Sequence, residues 1–95
     1  MADRNPKAFS ARVEGMVQGV GFRFSALHTA GRLRISGYVQ NLPDGSVKVV
    51  AEGEAQNLDR FRNWLEKGPL GAHVRNLSVV ERPYSGYYKN FTIEY

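Results

Sequence analysis

Gly15-Met16-Val17-Gln18-Gly19-Val20-Gly21-Phe22-Arg23 is the stretch on which the fold turns. Before it, Phe9, Ala11 and Val13 alternate with Ser10, Arg12 and Glu14, the period of a strand with one apolar face, predicted over about residues 7–14. After it, Phe22, Ala26, Ala30 and Leu33 fall on one side of a helix running to about Leu33, with Arg23, His28 and Arg32 away from the centre of that side. A strand therefore enters the stretch and a helix leaves it. A loop with three glycines at such a junction can turn several backbone N–H groups toward one point, a geometry that suits a phosphate. Glycine supplies the positive-φ conformations of the curl, and Arg23 adds a planar fork of donors with a fixed charge. Read by itself, the same stretch also fits a tight turn before an exposed helical arginine.

Further along the chain, Gly37-Tyr38-Val39-Gln40-Asn41-Leu42-Pro43-Asp44-Gly45-Ser46-Val47 carries two alternating runs into a Pro-Asp-Gly turn. This is a hairpin of strands over about 35–42 and 47–53, with Pro43 presetting the turn and Gly45 taking the conformation that other residues avoid. Asn41 ends its strand beside the turn, where an amide can orient a water molecule or simply bond nearby backbone. Next, Ala55, Leu58, Phe61 and Leu65 return to helical spacing until Gly68 and Pro69 stop the helix. Trp64, beside Phe61 and Leu65, reads as a core anchor. A further strand is expected over about 74–82, and a short terminal one from Phe91, Ile93 and Tyr95. Between them Tyr84, Tyr87 and Tyr88 surround a Ser-Gly turn and are expected to cover a sheet edge.

The order is strand, helix, strand, strand, helix, strand, with a short extra C-terminal strand. That is the α+β, ferredoxin-like βαββαβ sandwich. An antiparallel sheet with two helices on one face buries the apolar sides of both layers.

Ninety-five residues make one domain, 1–95, able to bury a single modest core, with residues 1–6 expected as a flexible extension. Cysteine is absent, which excludes disulfides, thiolate catalysis and a thiol-ligated metal. His28 and His73 lie far apart in sequence, so no metal and no cofactor is expected. No apolar run approaches the roughly 18 residues that span a bilayer, and residues 1–7 hold no hydrophobic signal core. A cytoplasmic protein that does not engage a membrane is the expectation. The net charge of +4, from 13 Lys and Arg against 9 Asp and Glu, favours anions without saying which.

Val17-Gln18-Gly19-Val20-Gly21-Phe22-Arg23 and Gly37–Val47 together resemble the two signatures of the acylphosphatase family. Gly68-Pro69 and the terminal Phe91-Thr92-Ile93-Glu94-Tyr95 also look like family members, so the resemblance covers nearly the whole chain. Met16 and Gln40 stand where relatives often carry basic residues. The resemblance implies the ferredoxin-like fold and hydrolysis of a small acyl phosphate to a carboxylate and inorganic phosphate. It implies backbone amides of Gly15, Met16, Val17, Gln18, Gly19 and Val20 around the phosphate, Arg23 bonding its oxygens, and Asn41 holding the attacking water.

Two other classes compete with this reading. RNA-recognition modules share the element order and are often basic, but they stack bases on aromatics of their two central strands. The outward residues here would be Ser10, Arg12 and Glu14, and Lys48, Val50 and Glu52, so no stacking pair is expected and no nucleic-acid partner with it. The second is a non-catalytic acylphosphatase-like regulatory domain, of the kind found at the start of larger carbamoyl-transfer maturation proteins. The monomeric enzyme is the expectation adopted.

Overall fold

The computed structural model describes residues 4–95. Its elements are β1 (Pro6–Met16), α1 (Phe22–Arg32), β2 (Ser36–Asn41), β3 (Val47–Glu54), α2 (Ala55–Lys67), β4 (His73–Arg82) and β5 (Phe91–Glu94). One five-stranded sheet has the order β4-β1-β3-β2-β5. All neighbours are antiparallel except β5, which runs parallel to β2, so the sheet is mixed. The ferredoxin-like arrangement expected from the pattern is present. The N-terminal extension was expected over residues 1–6. Its first three residues lie outside the described range, while Pro6 opens β1 and the Asn5 N–H donates to Glu54 Oε1 at 2.9 Å.

Alternation works as read: Phe9, Ala11 and Val13 of β1, Val39 of β2, and Val47, Val49 and Ala51 of β3 are buried on one sheet face. Helix α1 lies over β2 and β5, and α2 over β1, β3 and β4, both on that face. Phe22, Ala26 and Ala30 of α1 and Leu58, Phe61 and Leu65 of α2 complete the core. Trp64 stacks parallel on Phe61, ring centroids 6.1 Å apart, and also meets Phe22 at 5.4 Å. It is the expected anchor.

The end of β1 differs from the reading for a physical reason, while α1 stops where expected. Strand β1 continues through a bulge between Glu14 and Gly15, because β4 supplies partners as far as Met16. The bulge needs glycine: a Cβ on Gly15, at φ 132°, would stand 2.1 Å from the His73 carbonyl oxygen. Helix α1 ends in a Schellman motif whose left-handed position is Arg34 (φ 57°) instead of a glycine. Ile35 N–H donates to Ala30 O at 2.9 Å and Arg34 N–H to Gly31 O at 3.3 Å. Burial of Ile35 holds that turn closed.

The tyrosine-rich segment was expected at a sheet edge, and its actual course follows from topology. Strands β4 and β5 are opposite edges, so residues 83–90 must cross the helix-free face. There Tyr88 packs on Tyr38, with centroids 6.0 Å apart. Glu52, an outward position of β3, is thereby buried. Its carboxylate accepts from Ser85 Oγ (2.7 Å), Ser85 N–H (3.1 Å) and Gly86 N–H (3.0 Å). Burial and the nearby Tyr38, Glu52 and Tyr87 raise the Tyr88 phenol above its ordinary value. Deleting the carboxylate strands three donors, so Glu52→Ala should cost about 1–3 kcal/mol in urea denaturation. Activity under native conditions should persist, because Glu52 faces Ala8 and Ser36, at the sheet end remote from the glycine loop.

Candidate active site

The free loop between β1 and α1 is Val17–Gly21. Val17 is wholly buried and pins the segment to the core, which leaves the residues around it to curl. Gly19 and Gly21 take φ values of 78° and 76°. Gly21 is the N-cap of α1 and has no side chain to cap with, and the first turn contains no acidic residue. The leading N–H groups of the helix are therefore left without a side-chain partner, with the positive end of the helix dipole beside them. Arg23 projects from that same turn, half-buried, its guanidinium 5.1 Å above the ring centroid of Tyr95. Gly15 and Met16, also expected in the loop, occupy the last positions of β1, opposite Val74 and His73.

The hairpin brings Asn41 to the same end of the sheet. Asn41 pairs with Val47, and Val47 pairs with Val13, a few residues before the loop. By alternation with Val39, Asn41 points to the helix side. Its Oδ1 is buried and has no hydrogen-bond partner. Bonding to nearby backbone, the bland alternative for a turn asparagine, is thus not seen at this oxygen. The turn satisfies itself in other ways. Gly45, at φ 94°, donates its N–H to Leu42 O (3.1 Å), and Asp44 Oδ1 accepts from Ser46 N–H (3.0 Å) while pairing through its other oxygen with Arg12.

The Gln18 side chain joins loop and hairpin. Gln18 Nε2 donates to Leu42 O at 2.9 Å and to Ser46 O at 2.8 Å. The reading placed Gln18 in the loop for its backbone amide and missed this use of the side chain. Tyr95 was read only as a strand residue. Nothing local in the sequence signals either contact, since both depend on the sheet order. His28 is exposed on α1 and His73 exposed at the start of β4. Among the described residues no three His, Cys, Asp or Glu side chains gather as a metal would require, and no helix is long and apolar enough to cross a membrane.

An uncapped helix start, an arginine in its first turn and an unsatisfied carboxamide oxygen lie at one end of the sheet, groups of the kind that hold a small anion and a water molecule. The acylphosphatase family profile matches residues 9–93. An acylphosphatase of Thermotoga maritima is 51% identical over 89 residues, covering 94% of this chain and 98% of its own. The crystal structure of the Bacillus subtilis acylphosphatase superposes with a TM-score of 0.90 at 32% identity, covering 94% of this chain and 99% of that one. Full-length HypF, in a phosphate- and nucleotide-bound form, contains a similar unit with a TM-score of 0.88 at 26% identity, covering 98% of this chain and 12% of that one. Motifs, fold and relatives converge, and the chain belongs to the acylphosphatase family of hydrolases.

Proposed function

We propose that the backbone amides of Gly15 and Met16 at the end of β1 and of Val17–Val20 in the loop, with the Arg23 guanidinium, hold the phosphoryl group of an acyl phosphate, while Asn41 Oδ1 accepts a hydrogen bond from the attacking water. The buried, unpartnered Oδ1 of Asn41 carries this reading. A buried oxygen without a partner costs free energy, and an ordered water in line with the phosphorus relieves that cost. The water oxygen forms the new bond to phosphorus as the bond from phosphorus to the carboxyl oxygen breaks. The products are a carboxylate and inorganic phosphate.

The leaving group is the conjugate base of an acid with a pKa of about 4, so no side chain has to protonate it. An amide cannot act as a base near neutral pH, and the water's proton passes to a phosphate oxygen of the substrate itself. Positioning and electrostatics then supply most of the acceleration, as is usual for phosphoryl transfer. The enzyme acts as a cytoplasmic monomer, without a metal. The crossing of residues 83–90 over the open sheet face supports this reading against base stacking there.

Phosphate release from a synthetic aryl acyl phosphate, followed with chelator present, tests the proposal. Wild type should turn over with chelator, and His28→Ala should keep its rate and its pH profile. A large loss in His28→Ala, or inhibition by chelator, would refute substrate-assisted, metal-free hydrolysis.

A further inference from the structure

Among the described residues, the side chain of Gln18 makes the hydrogen-bonded link between the glycine loop and the hairpin, and it is part-buried. Its neighbour in sequence, Gly19, belongs to the curl; the neighbour of its acceptor Leu42 is Asn41. Both acceptors already receive a backbone donor: Leu42 O from Gly45 N–H at 3.1 Å, and Ser46 O from Leu42 N–H at 2.9 Å. The amide thus takes the remaining lone-pair capacity of two carbonyls at once. Only a group with two N–H donors on one nitrogen at this reach does so, and a carboxylate of the same shape would face both oxygens with like polarity.

We infer that Gln18 is a positioning residue that sets the distance between the phosphate-holding loop and the water held by Asn41. The inference rests on the roles proposed above for that loop and for Asn41. The loop amides and Arg23 lie on one continuous segment, so they keep their grip on phosphate when the link is cut. Asn41 lies on another segment, and only its alignment with the phosphorus is lost. Misplacement by about 1 Å can cost on the order of 10²-fold in rate.

The test uses Gln18→Met, which keeps an unbranched chain and removes both donors, and Gln18→Glu, which keeps the volume. Each is made alone and with Asn41→Ala, and folding is checked by circular dichroism. Expected are a kcat lowered about 10–100-fold, and inhibition by inorganic phosphate within about two-fold of wild type. In the Asn41→Ala background the Gln18 changes should lower kcat by no more than about two-fold further. A merely structural glutamine would lower thermal stability without this loss of additivity. The inference is overturned if kcat is unchanged, if the two losses multiply, or if phosphate inhibition weakens as much as kcat falls. An unchanged kcat in Asn41→Ala alone would instead remove the water-holding role itself.

Discussion

Arg23→Ala is expected to lower kcat/KM for an aryl acyl phosphate by about 10²–10³-fold, the usual cost of deleting one donor aimed at developing charge. The guanidinium sits in the first turn of α1, beside N–H groups that no side chain caps, so in the proposed role backbone and arginine act on the same anion. Both substrate binding and turnover should suffer, and inhibition by inorganic phosphate should weaken alongside them. Arg23→Lys should recover little, because a single ammonium cannot reproduce the planar fork. The contact of Arg23 with Tyr95 is worth about 0.5–1 kcal/mol at an exposed site, too little to unfold the chain. Initial rates and phosphate inhibition at a temperature well below the melting transition measure these effects. Wild-type kinetics in the alanine variant would remove Arg23 from the site.

Asn41→Ala is expected to leave phosphate inhibition nearly intact while kcat falls by about 10²–10³-fold, as for other deleted donors and acceptors of a preorganised site. A second expectation concerns stability, and it has the opposite sign from most buried polar truncations. Asn41 Oδ1 has no hydrogen-bond partner within the protein, so its removal breaks no internal bond. Removing it should leave the melting temperature unchanged or raise it, a trade of stability for function. If the variant lost phosphate affinity and kept its turnover, the amide would be an anion ligand and not a holder of water.

Much of this was legible in the sequence because period-two and helical spacing report burial directly. Phe9, Ala11 and Val13 announced β1, Leu58, Phe61 and Leu65 announced α2, and Gly68 announced where α2 stops. The positions of Arg23 and Asn41, one just after a strand-to-helix loop and the other at a hairpin end, were legible through their motifs. The remainder depended on contacts between distant segments. A left-handed Arg34 at the end of α1 could not be read, because burial of Ile35 decides it and local preference does not. The buried Glu52 looked like an ordinary outward strand residue, since its covering segment becomes evident only once β4 and β5 are known to be opposite edges. The Gln18 link was hidden for the same reason.

The parallel pairing of β5 with β2 has a kinetic consequence. Gly37 meets Phe91, and Tyr95 comes to lie under Arg23, only after the chain has returned from the far side of the sheet. Such pairings close long loops before they gain contacts, which slows folding relative to helical proteins of similar size. The aromatic neighbour of the arginine is thus supplied by the last strand, and a chain without that strand would keep the glycine loop and the asparagine but not the ring beside the guanidinium.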